Sequence, residues 1–147
     1  MLCNVEIVAL RNWENLPASN MEETTVLYRP VGPSELQLIA DTGYRAFPPR
    51  LPEQPIFYPV SNQEYATQIA RDWNANDPRQ KAGFVTRFRV RTAFLSRHEL
   101  RTVGTGIHQE YWVPAGDLGE FNLNIVGPIE VIAEFRMDAR PDASGRD

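Results

Sequence analysis

Hydrophobic positions along the chain change period several times, and each change predicts an element. Val26-Leu27-Tyr28-Arg29 reads as a short strand stopped by Pro30. Gly32-Pro33-Ser34-Glu35 then reads as a helix start, with proline and an acid in the first turn. Leu36, Ile39 and Ala40 give that helix one apolar face, and Gly43 sits where a left-handed C′ residue belongs. Residues 47–59 hold Pro48, Pro49, Pro52, Pro55 and Pro59, which predicts a stiff, extended loop. Phe47, Leu51, Ile56, Phe57 and Tyr58 interrupt the prolines, so the loop is expected to pack onto the body. Ile56 to Val60 reads as a short strand. Ser61-Asn62-Gln63-Glu64 fits a capping box with Ser61 as the cap. Tyr65, Ala66, Ile69, Ala70 and Trp73 continue a helix at 3.6-residue spacing until Asp77-Pro78.

The second half changes to a period of two. From Gly83 to Arg91, Phe84, Thr86, Phe88 and Val90 fall on one side, and Val85, Arg87, Arg89 and Arg91 on the other. Further strands are expected over about 99–103, 107–113 and 128–135, the last with Ile129, Val131, Ala133 and Phe135 inward. A short helical piece is expected near Phe121, after the turn Pro114-Ala115-Gly116-Asp117-Leu118. Helices early and strands late argue for an α+β fold with a mainly antiparallel sheet.

A length of 147 residues is one domain's worth of chain, with 42% hydrophobic and 23% charged residues. The expected division is an arm over 1–20, one α+β domain over 21–137 and a disordered tail over 138–147. Met21 also reads as a natural beginning. The formal charge of −4 offers no chain-wide basic footprint for nucleic acid. Lys81 is the single lysine among fifteen cationic residues, so nearly all the positive charge is guanidinium. Cys3 is the single cysteine, which excludes an internal disulfide and a cysteine-rich zinc site. No secretory signal or membrane-length apolar run is seen, which makes a cytoplasmic protein with no membrane partner the expectation.

Phosphate loops, dinucleotide glycine motifs, metalloprotease helices and nucleophile elbows are absent. Two histidines, His98 and His108, give no ligand-spaced pair, so no metal site is expected. Three segments carry candidate chemistry. Glu110 shares a strand face with His108 and Trp112, a carboxylate between an imidazole and an indole. Tyr28-Arg29 ends the first strand, where a guanidinium matches a phosphate or simply forms an ion pair. In Phe57-Tyr58-Pro59-Val60-Ser61, Tyr58 offers a stacking face or a core residue. The Arg87, Arg89 and Arg91 stripe is a solvated face or a dock for an anionic partner.

The strings LYRPVGPSEL, FPPRLPEQPIFYPVSNQEYATQIARDW, GFVTRFRV, HQEYWVPAGDL and FNLNIVGPIEVI run from Leu27 to Ile132. They resemble a family of small bacterial proteins loosely labelled ADP-ribosylation/crystallin J1, over about Val26 to Phe135. The order Arg29, Tyr58 or Ser61, Glu110 is similar to the ADP-ribosyltransferase layout. The resemblance implies an ADP-ribosyltransferase-like fold with a split, mainly antiparallel sheet and two helices in the N-terminal half. It implies NAD as substrate, an unknown ADP-ribose acceptor and Glu110 as the catalytic carboxylate. By the same resemblance Arg29, with Tyr28, holds phosphate and ribose, and Tyr58 or Ser61 lines the nicotinamide pocket beside His108 and Trp112. Tyr58-Pro59-Val60-Ser61 stands where that fold carries a Ser-Thr-Ser element. His108 stands where a Glu or Gln often precedes the catalytic Glu. The hydrolase half of the label implies acidic metal-binding clusters that the sequence lacks. Two rival readings remain. One is a non-catalytic binding module using loop 47–59 and exposed aromatics. The other is a hydrolase pairing Glu110 with another carboxylate such as Glu64 or Asp117.

Overall fold

The computed structural model describes residues 23–104, 106 and 108–137. The expected arm over 1–20 and the tail over 138–147 lie outside the described residues. The elements run β1 (Thr24–Val31), α1 (Pro33–Asp41), β2 (Ile56–Phe57), α2 (Gln63–Ile69), β3 (Ala82–Arg91), α3 (Thr92–Leu95), β4 (Leu100–Thr102), β5 (Gln109–Tyr111), β6 (Val113–Pro114), α4 (Leu118–Leu123) and β7 (Glu130–Arg136). Helices and antiparallel sheets are mixed, as an α+β fold requires.

Three strands form the main sheet, in the order β1-β3-β7, with every pair antiparallel. β2 pairs with β6, and β4 with β5. Val60 stitches these parts together. It exchanges backbone hydrogen bonds with Tyr28 of β1 at 2.8 and 2.9 Å and bridges to Glu110 of β5 on its other side. The Tyr111 amide donates to the Pro59 carbonyl, and the Ser61 amide to the Gln109 carbonyl. Segment 59–61 thus runs between β1 and the β4–β5 pair, so residues distant in sequence end on neighbouring strands.

The period-two pattern of β3 is realised. Phe84, Phe88 and Val90 join Leu27, Val31, Phe47, Phe57, Phe94 and Phe121 in the larger core. Val85 faces the other way and packs with Val60, Ala66 and Ala70 in a smaller core beneath α2. Gly83 is required there, because a Cβ would run into the Ala70 carbonyl where the helical segment crosses β3. Gly43 closes α1 at φ +73°, its amide donating to the Ala40 carbonyl. The proline-rich loop packs onto the body, as expected. Phe47 and Phe57 are buried, and Asn122 clamps the Phe47 backbone through both its amide oxygen and its amide nitrogen.

Five local expectations are corrected. β1 continues through Pro30 to Val31, since a proline is tolerated in an edge strand. The strand expected over 56–60 divides between two partners, β6 and β1. The α2 cap is Asn62, whose Oδ1 accepts from the Tyr65 amide at 2.8 Å. Ser61 is drawn into the strand contact with Gln109 instead. Trp73 leaves the helical face and stands 74% exposed. Residues 70–74 wind as a π-turn, with the Ala75 amide donating to the Ala70 carbonyl, and the wider turn rotates Trp73 outward. Val131 is 42% exposed rather than inward. β7 is an edge strand with an irregular register opposite Val85 and Thr86, so its apolar residues divide. Ile129 joins the larger core, while Ala133 and Phe135 pack on the smaller one.

Candidate functional site

Adjacent strands bring three of the sequence candidates to one place. A pocket of about 340 Å³ is lined by Arg29, Pro30, Tyr58, Val60, Ile69, Asn74 and Glu110. That volume falls at the lower end of the range for small-molecule sites. Arg29 comes from β1, Tyr58 from the segment before Val60, and Glu110 from β5. Val60 fixes their spacing, because it bridges to both flanking strands.

Glu110 is held by two neutral donors. The Tyr65 hydroxyl donates to Oε1 at 3.1 Å and the Trp112 indole Nε1 to Oε2 at 2.9 Å. Trp112 faces Tyr58 edge-on, with centroids 5.6 Å apart, and carries the Arg101 guanidinium over its ring at 3.9 Å. His108 stacks on Tyr65 at 4.6 Å and shares a hydrogen bond with the Gln68 side chain. The Tyr65 hydroxyl pKa is pushed up to about 12. Burial contributes most, followed by the charge of Glu110 and its hydrogen bond. Tyr65 therefore stays a neutral donor to Glu110.

Arg29 is engaged by Glu35. Its Nε and Nη2 donate to the two carboxylate oxygens at 2.7 and 3.0 Å, and Nη1 reaches the Tyr58 carbonyl at 3.4 Å. The guanidinium lies over the Phe57 ring at 4.6 Å. The bidentate fork expected to meet a phosphate is thus closed on a carboxylate six residues away. Arg29 still lines the pocket with Glu110.

Other candidates are placed elsewhere. Strand alternation turns Tyr28 away from Arg29; it packs on the smaller core with Val60 and lines a separate cavity of about 460 Å³ with Arg87, Arg89 and Glu130. Ser61 does not line the pocket, and its hydroxyl donates to Gln109 Oε1 at 3.3 Å. Glu64 lines a shallow surface depression with Gln68 and Arg71, while Asp117 lies 3.5 Å from His98. Glu110 is the single carboxylate among the residues lining this pocket. Among the described residues, no group of three or more His, Cys, Asp or Glu is placed to hold a metal ion. None of the described helices is long and apolar enough to cross a membrane.

The sequence reading missed Tyr65 and Arg101 as site residues. Periodicity places Tyr65 only on a helix face. Its position three residues after an Asn cap, on the turn that faces β5, is the signal that could have found it. Comparison with family models, curated proteins and solved structures found no match.

Proposed function

We propose that this chain is an ADP-ribosyltransferase-like protein that cleaves the nicotinamide–ribose bond of NAD and transfers ADP-ribose to an acceptor. The observation that carries the reading is the convergence of Arg29, Tyr58 and Glu110, far apart in sequence, on one pocket. The residues suit the nicotinamide–ribose end of the substrate. A carboxylate faces the pocket, aromatic rings flank it, and the volume fits a mononucleotide portion rather than the whole dinucleotide.

The bond to nicotinamide breaks with its electron pair leaving on the pyridine nitrogen. The ribose carbon passes through an oxocarbenium-like state and is taken by the acceptor, which gives up a proton. Glu110 offsets the developing positive charge. Tyr65 and Trp112 orient that carboxylate, and Tyr58 with Trp112 supplies ring faces for the leaving group. Arg29 lines the same pocket and would face the substrate's phosphate side, its own charge largely offset by Glu35. Tyr28, Ser61 and His108, which the resemblance assigns to NAD binding, do not line this pocket.

The test is nicotinamide release from NAD by purified protein, with lysate protein added as acceptor. Glu110→Gln is expected to lower release by about 100-fold or more, with folding unchanged by circular dichroism. No release, together with no rise in melting temperature on adding NAD, overturns the reading. A binding module is the second reading. It is favoured by one observation: both Glu110 oxygens already accept hydrogen bonds inside the protein. Its surface cannot be the loop aromatics Phe47 and Phe57, which are buried.

A further inference from the structure

We infer that a second pocket, beside α1, binds a phosphate ester through Arg50 together with Arg29. This pocket has a volume of about 420 Å³ and shares Arg29, Pro30 and Asn74 with the pocket of Glu110. Arg50, Glu35, Gln80, Leu38 and Leu51 line only this second one. Two guanidiniums therefore meet a single carboxylate, and both oxygens of that carboxylate, Glu35, already accept from Arg29.

The Nε of Arg50 is buried and has no hydrogen-bond partner. Its guanidinium lies 5.9 Å from the Phe57 centroid, on the ring that also carries Arg29. A buried charged donor left unmade is costly, and native structures rarely keep one without a ligand or water to complete it. The surroundings relieve it only in part: burial, and then the charge of Arg29, push the Arg50 pKa down, against the smaller opposing influence of Glu35 and Tyr58. An anion placed between the two guanidiniums supplies the missing acceptor and offsets the excess charge. A tetrahedral, doubly charged phosphate suits this site, because the Arg50 fork can engage two of its oxygens while Arg29, whose own fork is held by Glu35, adds positive charge beside it.

The rim defines the rest of the ligand. Leu38 and Leu51 are about half exposed at the mouth of the pocket, at 49% and 55%. Apolar side chains there favour an organic group attached to the phosphate over the free ion. The inference does not depend on cleavage of NAD, since Arg50 and the two leucines lie outside the Glu110 pocket.

The experiment is calorimetric titration of the full chain with inorganic phosphate and with phenyl phosphate, at constant ionic strength. Saturable one-to-one binding is expected for both, tighter for phenyl phosphate. Arg50→Gln is expected to weaken both by about tenfold or more. Arg50→Lys keeps the charge, loses the fork and is also expected to weaken binding, and it carries the test if the Gln variant misfolds. Arg87→Gln makes the same charge change on the opposite sheet face and is expected to leave binding unchanged. Absence of saturable binding, unchanged affinity in the Arg50 variants, or an equal loss in Arg87→Gln overturns the site. Equal affinity for the two probes overturns the ester assignment.

Discussion

The two ends of the Glu110 pocket hold their charged groups in different ways. At one end Arg29 and Glu35 form a bidentate pair, their side chains only 10% and 21% exposed, seated on Phe57. At the other end Glu110 has no cationic hydrogen-bond partner among the described residues. It accepts instead from a phenol and an indole. The first arrangement neutralises charge and locks β1 to α1. The second orients a carboxylate while leaving its charge unneutralised, which is what a group meeting a cation needs. A paired charge builds structure, whereas a charge held by neutral donors remains available for chemistry.

The largest expected effect comes from the floor of the paired end. Phe57 is fully buried, 5.1 Å from both Phe47 and Phe121, and carries Arg29. Phe57→Ala should cost about 3–5 kcal/mol in urea unfolding. A value under about 1 kcal/mol would mean that the ring does not support the pair.

Glu35→Ala follows. It leaves Arg29 buried without its carboxylate, and the expected loss is about 3 kcal/mol. The exposed pair Arg97–Glu120, 58% and 51% exposed, is the control, and Glu120→Ala should cost less than about 1 kcal/mol. Equal losses at the two sites would remove the distinction between a buried and a surface pair.

At the neutral-donor end, Tyr65→Phe should cost only about 1 kcal/mol, the worth of one hydrogen bond. It should lower nicotinamide release by more than it lowers stability. Equal proportional losses would make Tyr65 a structural residue only. Its titration gives a separate test. A hydroxyl raised from 10 to about 12 in the folded state contributes stability that is fully present below pH 10 and lost as pH rises through 12. Spectrophotometric titration of the wild type against Tyr65→Phe isolates this group among the five tyrosines. Glu110→Gln should bring the value down toward 10 without reaching it, because burial, the largest cause, stays in place.

The weakest effect is expected at Asp77. The Arg79 backbone amide, then the Arg79 and Gln80 side chains, hold its carboxyl at about 2. Its contribution is present above about pH 4 and fades as pH falls through 2. Acid unfolding of Asp77→Asn should show a slightly shallower pH dependence than the wild type.

Periodicity made much of this legible. Alternation in 83–91 marked β3 and both of its faces, and the apolar spacing of 36–40 with Gly43 marked α1 and its end. Such features are local, because backbone geometry alone sets a period of 2.0 or 3.6. Local reading failed where another segment competed for the same groups. Gln109 takes Ser61 into a strand contact, which moves the cap to Asn62. Crossing over Gly83 accompanies the π-turn that turns Trp73 outward.

The candidate site divides in the same way. Residue types and strand alternation were enough to put Glu110, His108 and Trp112 on one face and Gln109 on the other. No local signal showed that Glu35 closes the fork of Arg29, that Tyr65 donates to Glu110, or that Arg50 is left without a partner. The last two depend on how distant segments meet, the Tyr65 contact on the strands that Val60 joins and Arg50 on the docking of the proline-rich loop. That is settled by long-range backbone pairing and core packing, neither of which leaves a period in the chain.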